Sequence, residues 1–151
     1  MRKATLADLE SLVGMMTEFY AEADYALNPS RAHEAFQALL ANPDLGEVWL
    51  VQAEGRDAGY LVLTFGYSME YGGRDAFIDD LFIRSPYRHS GLGSALVEHA
   101  REVCVDAGVR AMHLEVARDN SAAQRAYRRA GFAGTDRQLL TLQLAPTTHA
   151  P

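Results

Sequence analysis

The chain has one cysteine, no long apolar run and no cluster of histidines, and each absence excludes a class of protein. Because Cys104 has no partner among the 151 residues, no internal disulfide can form, and a reducing cytoplasm is the expected compartment. No apolar stretch reaches the roughly 20 residues that cross a membrane, and the N-terminal segment lacks the apolar core of a signal peptide. The five histidines have no metal-ligand spacing, so no metal site is expected.

Positive charge is also scarce, since the formal net charge is -6 at pH 7. That balance argues against non-specific binding to nucleic acid and mildly favours small cationic partners. With 48% hydrophobic residues, a chain of this length can bury a core without disulfides or metals. We expect one domain over residues 1–145 and a short flexible tail at 146–151.

The spacing of apolar residues predicts a mixed α/β sheet with helices on both faces, in the order β-α-α-β-β-β-α-β-α-β. The predicted strands are 2–4, 47–54, 58–71, 76–83, 111–116 and 137–144. The predicted helices begin after Thr5, Asn28, Gly91 and Asn120. Two of these helix starts have the spacing of a capping box, with Thr5 before Asp8 and Ser121 before Gln124.

Two glycines lie where they cost stability, at the start of the helix that follows the strand 76–83. Glycine in a first turn costs roughly 1 kcal/mol relative to alanine, and Gly91 and Gly93 incur this twice. A strand followed by a glycine-rich turn and a helix is a common arrangement for binding phosphate, because the helix N-terminus offers free N–H groups. Arg88 adds a positive charge at its rim. The turn is neither a Walker A loop nor a dinucleotide fingerprint, and alone it fits a tight turn equally well.

The segment "RHSGLGSALVEHA" resembles the pyrophosphate-binding segment of the GNAT superfamily of N-acetyltransferases, whose pattern is Arg/Gln-x-x-Gly-x-Gly/Ala. A second signature of that family follows after the expected strand. The matching positions are Arg88, Gly91, Gly93, Asn120, Ala123, Tyr127, Gly131 and Phe132. Within the superfamily, "FIDDLFIRSPYRHSGLGS" is most similar to the branch that contains the spermidine/spermine acetyltransferases. The resemblance implies a GNAT-type acyl-CoA N-acyltransferase fold, acetyl-CoA as the acyl donor, and a homodimer.

The resemblance also implies where acetyl-CoA binds. The turn would hold the pyrophosphate, and the backbone of residues 81–83 would pair with pantetheine as a partial extra strand. The implied cofactor contacts are Leu81, Phe82, Ile83, Arg88, His89, Ser90, Gly91, Leu92, Gly93, Ser94, Asn120, Ala123 and Tyr127.

Moving an acetyl group from a thioester to an amine requires a deprotonated amine, donors to the oxyanion and a proton for the leaving thiolate. The resemblance implies that Tyr127 is the proton donor, although its spacing alone fits an ordinary half-buried tyrosine. Asn120 would contact the cofactor, cap the following helix, or do both.

Carboxylates inside an apolar strand are unfavourable unless something uses them. Strand alternation predicts that Asp79 and Asp80 point to opposite faces, so that only one readily faces the amine. The resemblance implies that Asp79 contacts the substrate and relays its proton through water. Asp79, Asp80 and Glu115 are the expected substrate-binding residues. Asp80 would otherwise hold neighbouring backbone or lie at a strand end, and Glu115 would otherwise be simply exposed.

The expected activity is direct acetyl transfer, in a ternary complex, to a small cationic primary amine such as a polyamine, an aminoglycoside or an amino-acid derivative. An acidic and aromatic cluster of Tyr20, Glu22, Asp24 and Tyr25 would border the acceptor or form a solvated helix end. Two alternatives stay open, acetylation of a protein lysine or N-terminus and a non-catalytic acyl-CoA-binding module. Cys104 lies on an apolar helix stripe and is expected to be a core residue.

Overall fold

Five strands form one mixed sheet in the computed structural model, which describes residues 1–144. The strands are β1 (Arg2–Lys3), β2 (Gly46–Ala53), β3 (Arg56–Ser68), β4 (Gly73–Ile83) and β5 (Ala111–Leu114). The helices are α1 (Leu9–Glu22), α2 (Pro29–Ala41), α3 (Leu92–Asp106) and α4 (Ser121–Arg129). The strands lie in chain order, antiparallel from β1 to β4, and β5 pairs parallel to β4.

Each face of the sheet carries its own core, which confirms the predicted layers. On one face, buried residues of α3 such as Leu96 and Ala100 pack on Leu61 and Leu63 of β3. On the other face, residues of α1 and α2 pack on Tyr60, which is completely buried. None of the helices within residues 1–144 is long and apolar enough to cross a membrane.

A β-bulge interrupts β4 at the acidic pair. Val62 pairs with Asp80, whereas the next residue, Leu63, pairs with Ile78, so Asp79 is an extra residue with no partner on β3. The positions that face the α3 core are even-numbered before the bulge and odd-numbered after it. Ala76 and Ile78 enter the α3 core before it, and Leu81 and Ile83 contact the same core after it. The expectation that simple alternation separates the two aspartates is therefore wrong.

Strands β4 and β5 separate after a short parallel stretch. Their pairing runs from Asp75 with Ala111 to Ile78 with Leu114, and β5 ends there, two residues earlier than predicted. On the β5 side, residues 79–83 of β4 therefore have no strand neighbour. This opening lies directly beside the first turn of α3, and it positions the site described below.

The predicted strand at 137–144 is wrong, because this segment has no regular structure. Its apolar side chains are mostly exposed, from 69% for Leu139 to 90% for Leu144. Within residues 1–144, this segment has one side-chain ion pair, which joins Arg137 to Glu70 in the turn after β3. The segment alternates like a strand but has no partner strand in the described chain. The tail predicted at 146–151 lies outside the described residues.

The start of α1 is fixed by Asp8, as the predicted capping box requires. The Thr5 backbone N–H donates to the Asp8 carboxylate at 2.8 Å, and Arg2 donates to both of its oxygens at 2.6 and 2.8 Å. The hydrogen bonds from the Arg2 guanidinium, followed by those from Thr5, hold the pKa of Asp8 well below its usual range.

Asp8→Asn is expected to lower the free energy of unfolding at pH 7 by about 1 kcal/mol, the usual worth of such a cap. Because the pKa of Asp8 is depressed in the folded state, its stabilisation is present above the unfolded value near pH 4 and is lost as the pH falls below it. Urea unfolding at pH 7 and pH 3 measures both effects. Asp44→Asn, at an exposed carboxylate, is the matched control; an equal loss in both variants would contradict this role for Asp8.

Candidate active site

A cleft of about 550 Å³ lies between the end of β4, the first turn of α3 and one face of α4. We call it the glycine cleft. Its lining residues are Leu81, Ile83, Tyr87, Arg88, His89, Gly91, Leu92, Gly93, Ser94, Val97, Ala122, Ala123, Arg125, Ala126, Tyr127, Arg129 and Ala130. Most of the predicted cofactor contacts are among them.

The glycine turn is shaped to present backbone rather than side chains. Gly91 is the N-cap of α3 and has φ of 86°, in the left-handed region that favours glycine, and it has no side chain to cap the helix. The first-turn N–H groups at Leu92, Gly93 and Ser94 are therefore not capped by a side chain at the N-cap. Together with the positive end of the helix dipole, they favour an anion at this end of the cleft.

Three arginines give the glycine cleft a basic rim, and sequence reasoning found only Arg88. Arg125 and Arg129 also line it, because a spacing of four places them on one face of α4. The sequence contained a signal for this basic face, because Arg125 and Arg129 lie four residues apart, as do the small residues Ala122 and Ala126 beside them. In a chain with a net charge of -6, this local concentration of positive charge favours an anionic ligand.

Arg88 connects the cleft to α1. Its Nε donates to the Ile83 carbonyl at 2.7 Å, and its guanidinium lies 5.6 Å from the centre of the Phe82 ring. It also forms an ion pair with Glu22 in the last turn of α1. Glu22, predicted to belong to an acidic cluster at the acceptor site, therefore has a structural partner.

A second cleft of about 630 Å³ lies between α1, the bulge in β4 and the segment that follows β5. We call it the acidic cleft. Its wall is aromatic, with Phe19 and Tyr25 each packed edge-on against Tyr20. Three carboxylates also line it, those of Asp79, Asp80 and Glu115, and within residues 1–144 none of them pairs with a basic side chain. Unneutralised carboxylates beside aromatic faces suit a cation.

The two aspartates of the bulge line the same cleft in different environments. Asp79 is exposed. Asp80 is half-buried and accepts a hydrogen bond of 3.0 Å from the Tyr60 hydroxyl. Burial raises the pKa of Asp80 to about 6; the Tyr60 hydrogen bond opposes that rise, and Asp79 adds to it.

Tyr127 lies where the two clefts meet. Leu81, Ala123 and Tyr127 line both clefts, and of these only Tyr127 carries a group that can donate a proton. The ring packs edge-on against Phe132, with the ring centres 5.9 Å apart. Burial raises the pKa of Tyr127, so its hydroxyl is protonated at neutral pH.

Three predicted cofactor contacts lie outside the glycine cleft. The Phe82 side chain is buried in the core beneath α1, so only its backbone could face a ligand. The Ser90 hydroxyl donates to the Tyr87 carbonyl and holds the turn. Asn120 lines the acidic cleft and accepts a hydrogen bond of 3.1 Å from the Ala123 N–H as the N-cap of α4.

The predicted capping box at Ser121 is wrong, because the N-cap of α4 is the preceding residue, Asn120. The Gln124 side chain donates instead to the carbonyls of Ala117 and Arg118, at 3.0 and 2.9 Å. These bonds fix the loop between β5 and α4, which carries Glu115 and Asn120 into the acidic cleft. Within residues 1–144, no group of three or more potential metal ligands comes together.

The chain belongs to the acetyltransferase (GNAT) family, whose model matches residues 12–132. Members of this family are acyl-transferring enzymes, and a glycine turn beside an open strand edge fits that class. The finer assignment to the spermidine/spermine branch stays a prediction.

Similar proteins agree with this family. A thialysine N-epsilon-acetyltransferase of Bos taurus is 32% identical over 73 residues, 48% of this chain and 42% of that protein. The match thus spans less than half of the bovine protein. An uncharacterised N-acetyltransferase of Archaeoglobus fulgidus is 27% identical over 128 residues, 83% of this chain and 87% of that protein. A solved integron cassette protein from the mobile metagenome of Cole Harbour Salt Marsh is 45% identical with a TM-score of 0.87, over 96% of this chain and 90% of its own.

Proposed function

We propose that the chain transfers the acetyl group of acetyl-CoA directly to a small cationic primary amine, with both substrates bound at once. One observation carries this proposal: a basic cleft with a glycine turn and an acidic cleft meet at Leu81, Ala123 and Tyr127. A phosphate-bearing donor and a cationic acceptor would each enter the cleft of opposite charge, and their reacting ends would meet at Tyr127.

The residues of the glycine cleft fit acetyl-CoA as the donor. The uncapped N–H groups of α3 and the rim of Arg88, Arg125 and Arg129 suit the phosphates. The β4 edge over residues 79–83 has no strand neighbour on the β5 side, so the backbone groups on that side, apart from the Ile83 carbonyl that accepts from Arg88, are available to the amide groups of pantetheine. Bound there, acetyl-CoA would supply the activated acyl carbon.

Tyr127 would protonate the leaving thiolate. A positioned acid must hold its proton at the working pH, and burial keeps Tyr127 protonated. Its place at the junction lets one hydroxyl reach a donor from the glycine cleft and an acceptor from the acidic cleft. The transfer needs no covalent intermediate on the protein, because both substrates have a cleft of their own.

We also propose a homodimer. The segment 137–144 exposes Leu139, Leu140, Leu142 and Leu144, and large exposed apolar surfaces are typical of interaction sites. Within residues 1–144, β5 is an edge strand with one side unpaired, which is a second feature that a partner chain could cover.

A panel of amines tests the proposed function, with release of free thiol from acetyl-CoA as the signal. Small amines with one or more positive charges are expected to give amine-dependent release, and neutral or acidic amines little, because the acidic cleft carries three carboxylates. Turnover only with lysine-containing or N-terminal peptides would instead support a protein acceptor. Binding of CoA without turnover on any amine would identify a non-catalytic binding module.

A further inference from the structure

Asp80 is anchored by a buried side chain on the same face of the sheet, the face covered by α1 and α2. Tyr60, on the neighbouring strand β3, is completely buried and donates its hydroxyl to one carboxylate oxygen at 3.0 Å. The Tyr60 ring is fixed by edge-on packing against Phe36 of α2. The carboxylate is therefore held by a side chain that is itself held by the core. Its other oxygen has no hydrogen-bond donor within residues 1–144, while the residue lines the acidic cleft.

Asp79 has no such support. It is the extra residue of the bulge, it is exposed, and no hydrogen bond fixes its carboxylate in the described chain. A proton acceptor must be held within hydrogen-bond reach of the proton that it takes, whereas a charge that only attracts a cation needs no fixed geometry.

We propose that Asp80, positioned by the Tyr60 hydroxyl, accepts the proton of the amine, and that Asp79 only contributes charge to the acceptor site. This inference rests on the proposed function and moves the proton relay from Asp79, where the sequence resemblance placed it, to the next residue. Asp80 is the catalytic residue in this scheme and Tyr60 is a positioning residue.

The protons balance along this route. The ammonium gives one proton to Asp80, which passes it to solvent. The freed nitrogen attacks the thioester carbon, so that a C–N bond forms and the C–S bond breaks, and the nitrogen gives its second proton to solvent. Tyr127 protonates the thiolate and is reprotonated from solvent. The products are the amide, the CoA thiol and one net proton.

The electrostatics of the cleft support the assignment. Burial raises the pKa of Asp80 to about 6, with Tyr60 lowering it and Asp79 raising it. That value makes Asp80 a better proton acceptor than an ordinary aspartate near 4, while leaving it ionised at neutral pH. Burial, followed by the two aspartates, raises the pKa of Tyr20 to about 12, so Tyr20 is neutral and does not compete for the proton. Tyr60 on β3 contacts the carboxylate, and the other titratable groups that line its cleft are Tyr20 on α1, Tyr25 after α1, Asp79 on β4, Glu115 after β5 and Tyr127 on α4.

The pH profile of kcat/KM on the best amine, measured for the wild type and three variants, tests the proposal. Asp80→Asn is expected to lose about 10²-fold or more at pH 7, with a loss that shrinks as the pH approaches the amine's own pKa near 10. Asp79→Asn is expected to raise KM by a constant factor and to retain the fall in rate at acid pH, moved to lower pH because the charge that raises the pKa of Asp80 is gone. Tyr60→Phe is expected to move that fall to higher pH, because the bond that lowers the pKa of Asp80 is gone.

A carboxyl ¹³C NMR titration gives a readout independent of activity. The Asp80 signal should titrate near pH 6 in the wild type and at higher pH in Tyr60→Phe, while thermal melting shows that each variant is folded.

The acid limb is the fall of kcat/KM at low pH. If Asp79→Asn lost this limb and Asp80→Asn kept it, the assignment would be overturned and the proposed function would stay intact. An unchanged limb and NMR midpoint in Tyr60→Phe would overturn the positioning role. A wild type that acetylates no amine would overturn the proposed function itself, and this inference with it.

Discussion

Tyr127→Phe is expected to lower kcat by about 10²- to 10⁴-fold, the usual worth of a positioned general acid. The substitution removes the hydroxyl at the junction of the two clefts and keeps the ring that packs on Phe132. The fold and the affinity for acetyl-CoA should therefore change little. Steady-state kinetics and calorimetry with CoA measure the two quantities separately.

The matched control for this variant is Tyr67→Phe, which removes a hydroxyl from a side chain that is 72% exposed near the end of β3. It should behave as the wild type. A Tyr127→Phe enzyme with near-normal kcat would assign protonation of the thiolate to water or to another residue. A large loss of CoA affinity would instead make Tyr127 a binding residue.

Gly93→Asp is expected to weaken CoA binding by about 100-fold or more while leaving the fold intact. Gly93 lies in the first turn of α3, where a carboxylate stabilises the helix through its dipole. An added Cβ would meet Ile83 and Leu81 at 3.8 Å, which is ordinary van der Waals contact. Facing the phosphates, the same charge is repelled by about 4 kcal/mol at 4 Å near a protein surface.

Gly93→Asn separates charge from bulk, because asparagine has nearly the same size and no charge. Calorimetry with CoA should show a much smaller loss for this variant, and the loss in Gly93→Asp should shrink as salt is added. Unchanged CoA affinity in a folded Gly93→Asp protein would contradict the assignment of the glycine cleft to the donor. Gly91 is a poorer place for this test, since any side chain there would also strain its left-handed backbone.

The helices and most strands could be predicted because their signals are local. In α3 the apolar side chains recur every three or four residues, and Leu96, Ala100 and Cys104 are indeed buried. The glycine turn was visible for the same reason: glycines that cost stability in a first turn needed a cause. Cap positions were harder to predict: the N-cap of α4 is Asn120 rather than Ser121, and both residue types can cap a helix.

The bulge in β4 could not be found by assuming alternation, although a signal for it was present. The core-facing residues change from even positions at Ala76 and Ile78 to odd positions at Leu81 and Ile83. A change of parity of this kind requires an extra residue between them, and Asp79 is that residue. Its consequence is that both aspartates line one cleft.

Features that depend on a partner were the least predictable. The segment 137–144 alternates as a strand does, yet a strand needs a neighbour, and local pattern cannot supply one. The partner of Arg88 on α1 and the anchor of Asp80 on β3 are likewise long-range contacts, separated from their partners by 66 and 20 residues. Single-sequence reasoning proposes candidate side chains, and the fold selects among them.

The most direct test of the two-cleft account is the initial rate of thiol release over a grid of acetyl-CoA and amine concentrations. Direct transfer between substrates bound together predicts intersecting lines in a double-reciprocal plot and no release of thiol from acetyl-CoA alone. Parallel lines, with a burst of thiol before any amine is added, would mean that the acetyl group first moves to the protein. That result would contradict direct transfer at the junction marked by Tyr127.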